Sequence, residues 1–339
     1  MALDVQAKHV KMMTAATAAP SMRKLPEENW AEWQKKARAK LGDLLGLPME
    51  TVEDPNFRID WTKEEETYTE TRFYFESEPE CTVVCHLLIP KNVPQEKIPL
   101  IICLQGHSNG FHISLGQPKY EGDAETISGG DRDFARQIIA RGQAALAIEQ
   151  RAFGERGGNP EPQCYQPSVQ AFLLGRTIVG ERCWDVSRAI DVVGEQFPVL
   201  DMNRIAIMGN SGGGITSIYA AAMDTRIAAV MPSCALCGLQ ASFGSMYHCL
   251  CSYIPGMLKY FDMGDVAALV APRPYVVVNG EKDPIFPIGA ARNQYAVAKA
   301  VYEDAGAGDK IRHVVGPAEH RFYADISWPV FDELTGWRE

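Results

Sequence analysis

Long apolar runs are missing from the 339 residues. No stretch approaches the roughly 18 uninterrupted apolar residues that cross a bilayer as a helix, which excludes a helical membrane protein. The opening segment, MALDVQAKHVKMMTAATAAP, carries Asp4 and lacks the apolar core of about 7–15 residues that a secretory signal needs, so a cytoplasmic location is expected. Positive charge is in deficit: 33 Lys and Arg stand against 43 Asp and Glu, a net charge of −10. Nucleic acid and anionic membrane surfaces would be repelled overall. The chain has only 7 histidines and no HExxH pair among them. The 9 cysteines are an odd number spread through a large chain, which suits reduced thiols better than a disulfide framework. Cys234-x-x-Cys237 has redox or zinc spacing, yet there is no second CxxC and no neighbouring histidine pair. These two cysteines, and Cys249 and Cys251, are read as buried structural thiols, and no metal site is expected. Internal repeats and low-complexity tracts are also absent.

What the chain does contain is the composition of a globular enzyme, with 46% apolar and 22% charged residues. Between Leu25 and Leu45, apolar residues recur at Trp30, Trp33, Ala37, Leu41, Leu44 and Leu45, the period of an amphipathic helix. Residues 1–65 are therefore expected to form an N-terminal helical arm, and residues 66–339 the main domain. Within the latter, Thr67 to Glu76, Thr82 to Pro90 and Pro99 to Leu104 read as strands. Helices are then expected at about 131–141, 168–196, 212–223, 287–306 and 325–336, and strands at 143–149, 203–208, 227–233, 274–279 and 310–315. The stretch 236–266 has no clear period. Such alternation predicts an α/β fold with a mostly parallel sheet covered on both faces. In sheets of this kind, sites form outside the carboxyl ends of the strands.

One motif carries chemistry. Gly209-Asn210-Ser211-Gly212-Gly213 fits G-x-S-x-G, and it stands between the apolar run 205–208 and a helix-compatible run from Ile215 to Met223. That context is the strand, sharp turn and helix of a nucleophile elbow. A serine hydroxyl attacks at neutral pH only if a base takes its proton, so an oriented histidine should follow. Asp283, in Asn279-Gly280-Glu281-Lys282-Asp283-Pro284, and His320, in Pro317-Ala318-Glu319-His320, both follow predicted strands. The order Ser211, Asp283, His320 is that of a Ser, Asp, His triad on an α/β sheet. Glu281 and Glu319 are rivals for the acid, one with too little loop to reach across and one too close in sequence to the histidine. Oxyanion donors are expected from the N–H of Gly212 and from the loop Gln105-Gly106-His107-Ser108-Asn109-Gly110. His107 is the first choice there and Ser108 the next, with a base role for the His107 side chain as the alternative. GNSGGG lacks the lysine of a phosphate loop and the spacing of GxGxxG, which disfavours nucleotide binding. Arg151 and Arg156 are expected to brace a loop through ion pairs with Asp185; contact with a substrate carboxylate is the alternative.

The QGHSNG loop, EQRAFGERGG at 149–158, GNSGGG, VAPRPYVVVNGEKDPIFP and GPAEHRFY together resemble the α/β-hydrolase superfamily, in the group of acetyl xylan esterase-like and dienelactone hydrolase-like proteins. The resemblance runs from about residue 65 to 336. It implies an eight-stranded, mostly parallel sheet, a substrate-covering insertion at about 236–266, and a Ser-Asp-His carboxylic ester hydrolase that needs no cofactor. Two departures stand out: QGH replaces the usual HG of the oxyanion loop, and the nucleophile is serine where dienelactone hydrolases proper use cysteine. The second argues against dienelactone as substrate. The expected partner is a small-molecule ester, with acetylated sugars among the candidates. An acyl-peptidase or amidase using the same residues, and a hydrolase fold serving only to bind, are the alternatives.

Overall fold

In the computed structural model, which describes residues 4–157 and 163–338, the runs read as strands build one sheet. Its strands are β1 (Arg58–Glu64), β2 (Tyr68–Glu78), β3 (Cys81–Pro90), β4 (Ile98–Leu104), β5 (Ala144–Ile148), β6 (Leu200–Asn210), β7 (Ile227–Ser233), β8 (Tyr275–Gly280) and β9 (Ile311–Gly316). They lie in the order β1-β2-β3-β5-β4-β6-β7-β8-β9. The pairs from β1 through β3 to β5 are antiparallel and all the others are parallel. The sheet thus has nine strands, one more than the resemblance implies. The added strand is β1, within the segment expected to be a helical arm. Its side chains are almost all exposed, and Arg58, Asp60, Lys63 and Glu64 put charge on a sheet edge, where it blocks pairing with another chain. A strand with so little burial carries almost no apolar alternation to read.

The helices are α1 (Val5–Ala18), α2 (Trp30–Leu45), α3 (Asp123–Gly129), α4 (Phe134–Ala140), α5 (Tyr165–Leu173), α6 (Ile178–Gln196), α7 (Gly212–Met223), α8 (Met263–Ala268), α9 (Ile288–Asp304) and α10 (Ala324–Thr335). The single long helix expected over 168–196 is two, α5 and α6. Gly175 takes φ +71°, a left-handed conformation that ends a helix, and the Thr177 hydroxyl accepts from the Gly180 N–H as the next helix starts. The interval 236–266 is irregular, as read, until α8 begins.

Period-two alternation decides what each face of the sheet buries. From β4, Leu100, Ile102 and Leu104 enter one core, while Ile101 and Cys103 enter the other. From β6, Ile205 and Ile207 go to the first and Ala206 and Met208 to the second. The first core is covered by α2, α6, α7, α8 and α9, the second by α4 and α10. Asn29 caps α2 by accepting from the N–H groups of Ala31 and Glu32. Trp33, Ala37, Leu41 and Leu45 line its buried face. By contrast, α1 has no buried residue.

If α2 is an integral part of the core, Leu41→Ala should lower unfolding free energy by about 2–5 kcal/mol in urea titration, the cost of a buried leucine truncation that leaves a cavity. A loss below about 1 kcal/mol would mark α2 as a detachable appendage.

Candidate active site

The strand order turns back at β4, which has β5 on one side and β6 on the other. A crevice forms at such a reversal, outside the strand ends. Ser211 stands there, one residue past β6 and just before α7, at φ 55° and ψ −119°. A non-glycine residue in that region is strained and persists only where its surroundings enforce it. Here the Ser211 N–H donates to the Ser233 carbonyl at 2.9 Å, and the Ser211 carbonyl accepts from the Ile215 N–H at 2.8 Å. The flanking glycines are needed for space. A Cβ on Gly213 would lie 2.2 Å from the Leu104 carbonyl oxygen, and one on Gly209 would lie 2.5 Å from the Gly213 carbonyl carbon. β4, β6 and α7 can meet this closely only without side chains at those positions.

Asp283 and His320 come together. The His320 ring Nδ1 lies 2.8 Å from Asp283 Oδ2, and the other carboxylate oxygen accepts from the N–H groups of Ile285 at 2.8 Å and Phe286 at 3.1 Å. Burial opposes ionisation of Asp283, but the His320 contact and the two backbone donors outweigh it and hold the carboxyl below its ordinary range. The rival acids are elsewhere: Glu281 is exposed and pairs with Arg292 at 2.9 Å, and Glu319 is exposed. The Phe286 ring stacks on His320 at 5.7 Å. That same ring lines a cavity of about 310 Å³ with Ser211, Gly212, His107, Tyr247 and His248. Among the described residues, Ser211 makes no hydrogen bond to His320.

The loop after β4 closes the other side. A Cβ on Gly106 would sit 2.8 Å from the Asn210 carbonyl oxygen and 3.1 Å from Ser211 Cβ, so this glycine lets the loop reach the elbow. The His107 backbone nitrogen lies 3.7 Å from the position of a Gly212 Cβ. Gly212 is the first residue of α7, where a backbone N–H has no partner inside the helix. The His107 ring stands between Gly212 and Cys251: its Nδ1 lies 2.8 Å from the position of a Gly212 Cβ, and its Nε2 lies 3.0 Å from Cys251 Sγ. Ser108 bonds back to the Gly106 carbonyl at 3.3 Å.

Residues 236–266 supply one wall through Tyr247 and His248. His248 bonds Ser242 Oγ at 2.8 Å and stacks on Phe243. Burial and the neighbouring His107 and His320 bring its pKa down to about 4, which keeps the ring neutral. Tyr247, His248 and Cys249 also line an adjoining cavity of about 640 Å³, together with Tyr165 and Tyr253. Cys249 is half-buried, not buried as its sequence context implies, while Cys234, Cys237 and Cys251 are buried.

Arg151 and Arg156 do brace a loop. Arg151 contacts Asp185 at 2.8 Å and Glu78 at 2.7 Å, and Arg156 contacts Asp185 at 2.6 Å. Asp185 is fully buried, and these two guanidinium groups overcome that burial to hold it ionised. Glu149 is the site feature that sequence reasoning missed. It accepts from Gln105 Nε2 at 2.6 Å and from the Phe111 N–H at 3.1 Å, which pins both ends of the loop carrying His107. The only signal was a lone acid at the end of a predicted strand.

Comparison with known proteins adds the family and the fold. A model of the Abhydrolase family matches residues 5–313. A Bacillus subtilis (strain 168) protein named "Putative hydrolase YtaP" is 27% identical over 234 residues, which span 67% of this chain and 77% of that protein. Among solved structures, one titled a putative acetyl xylan esterase from Bacteroides fragilis NCTC 9343 superposes with a TM-score of 0.78 at 19% identity, over 93% of this chain and 83% of that one. A glucuronoyl esterase from Solibacter usitatus gives a TM-score of 0.67 at 16% identity, over 94% and 97% of the two chains. At such identities the structures speak for a shared α/β-hydrolase fold. No helix among the described residues is long and apolar enough to cross a membrane.

Burial pushes the Glu149 carboxyl up to about 8 from an ordinary 4.5, against the opposing pull of its backbone donors. Between those two values the unfolded chain has released this proton while the folded chain keeps it, so the group costs stability progressively as pH rises. Glu149→Gln cannot ionise. Its Tm relative to the parent should therefore climb between about pH 5 and pH 8 in thermal melts, and a difference that stays flat across this window would show that Glu149 is ionised throughout.

Proposed function

The chain belongs to the Abhydrolase family, and from that premise we propose that it is a serine hydrolase of short-chain carboxylic esters acting through an acyl-enzyme. The observation that carries this reading is the oriented Asp283–His320 pair, joined through Phe286 to the cavity that holds the strained Ser211. Asp283 engages Nδ1 of the ring, which leaves Nε2 to act as the base. His320 takes the Ser211 proton as the hydroxyl oxygen attacks the ester carbonyl, and the resulting imidazolium is stabilised by Asp283. The developing oxyanion is met by the N–H groups of Gly212 and His107. His320 then returns the proton to the departing alcohol, and water repeats the sequence on the acyl-enzyme.

Cavity sizes support the division of the substrate. At about 310 Å³, the space at Ser211 lies at the small end of ligand sites and is walled by Ile215, Ile285 and Phe286, which suits a short acyl group. The larger cavity, with Tyr165, Tyr247 and Tyr253 on its walls, suits a bulkier alcohol. Tyrosines offer a flat apolar face with a polar edge, the combination that a sugar ring presents in reverse, so acetylated carbohydrates are the leading substrate class.

A fluorophosphonate probe should label Ser211, as read by mass spectrometry, and Ser211→Ala should lose at least about 10³-fold in ester turnover with an unchanged circular dichroism spectrum. A folded Ser211→Ala protein with normal activity would remove Ser211 from the mechanism.

Acyl selectivity checks the cavity assignment. Each methylene that the small cavity cannot accept should forgo or reverse about 1–3 kcal/mol of discrimination. Acetyl and propionyl p-nitrophenyl esters should then exceed the octanoyl ester in kcat/KM by at least about 10-fold, with aminoacyl anilides far behind. A profile peaking at octanoyl would refute the short-acyl reading, and efficient anilide cleavage would make the enzyme an amidase.

A further inference from the structure

Three cysteines and a histidine that are scattered through the sequence meet behind the His107 loop. His107 comes from the loop after β4, Cys164 from the residue before α5, and Cys249 and Cys251 from the irregular segment that walls the cavity. Their ligand atoms all lie within 4.8 Å of one another, with His107 Nε2 and Cys251 Sγ 3.0 Å apart. A tetrahedral zinc ion with Zn–S near 2.3 Å and Zn–N near 2.0 Å spaces its ligand atoms roughly 3.5–3.8 Å apart. Shifts on the order of 1 Å or less convert the observed cluster into that shell.

A second observation is independent of the spacing. Arg182 is completely buried, and no carboxylate pairs with it among the described residues. It donates to the Arg151 carbonyl at 2.7 Å, its guanidinium lies over the Phe153 ring at 4.2 Å, and it approaches Cys251 Sγ at 3.4 Å and Cys164 Sγ at 3.9 Å. A guanidinium cannot shed its proton, so burial without a counter-charge is costly. Three thiolates and a neutral imidazole around a dication carry a net charge of −1, which Arg182 balances.

We propose that His107, Cys164, Cys249 and Cys251 bind one zinc ion. Sulfur and imidazole donors in a closed four-ligand shell suit zinc rather than calcium or magnesium, which take oxygen. With all four positions filled by protein, the ion is structural. It releases the cysteine protons on binding and ties the His107 loop, the start of α5 and the cavity wall into one body. Ligation through Nε2 also leaves the His107 ring proton on Nδ1, the nitrogen that faces Gly212. None of this requires the esterase reading, because the test measures metal and not turnover.

The full chain, purified under reducing conditions from zinc-supplemented cells, should contain about one zinc per chain by mass spectrometry of the metal. Cys164→Ser and Cys249→Ser should each lose it, while Cys81→Ser, outside the cluster, should keep it. As a check that does not rely on folded variants, the chelator-stripped parent should be titrated with Co²⁺. It should develop thiolate-to-cobalt charge-transfer bands and the visible bands of tetrahedral cobalt, saturating at one equivalent and bleaching when Zn²⁺ is added. Zinc below about a tenth of an equivalent, both as purified and after reconstitution, would overturn the site. So would cobalt spectra without thiolate bands, zinc retained by the two serine variants, or a disulfide among Cys164, Cys249 and Cys251.

Discussion

The approach of backbone to backbone where β4, β6 and α7 meet is the constraint on which the rest of the molecule turns. Leu104 ends β4 with its carbonyl against Gly213, and Gly209 packs against the same turn, so neither position tolerates a Cβ. This contact forces Ser211 into its left-handed conformation and aims the N-terminus of α7 at the hydroxyl's surroundings. It also fixes where the loop after β4 must go, since Gly106 lies against Asn210 and Ser211. The sheet is thus more than a scaffold, because its two central parallel strands set the spacing between the turn at Ser211 and the loop after β4.

Around this point the protein spends buried charge and polar groups on loops. Glu149 holds the loop after β4 by both ends, Asp185 gathers Arg151 and Arg156 behind it, and Asp283 holds the His320 ring. Each is a carboxyl group in a poor dielectric with several donors fitted to it, and such groups are costly unless every partner is present. Arg182 is the exception in charge, a buried cation aimed at thiols rather than carboxylates, and the proposed zinc shell supplies its missing counterpart.

Much of the fold was legible because buried strands and amphipathic helices leave periodic traces. The central strands and most of the helices lie close to where periodicity puts them, and the strand–turn–helix context of Ser211 could be read from residues 205–223 alone. The Ser211, Asp283, His320 order was legible for the same reason: each follows a readable strand. What failed lacked a trace. β1 is an exposed edge, α1 buries nothing, and the division of α5 from α6 rests on one glycine conformation and one threonine cap.

By itself, the sequence determined the α/β architecture and the strand–turn–helix context of Ser211, since both depend on local pattern along the chain. Tertiary structure alone decided which side chains far apart in sequence meet. It set the His107 ring between Gly212 and Cys251, made Glu149 the clasp of the loop, and brought Cys164 to cysteines more than 80 positions away. Spacing rules for metal ligands detect neighbours in one loop, as with Cys234 and Cys237, whose thiols are simply buried. A cluster assembled from three segments has no spacing to detect, because the distances that matter are set by how the sheet stacks its loops and not by how many residues lie between them.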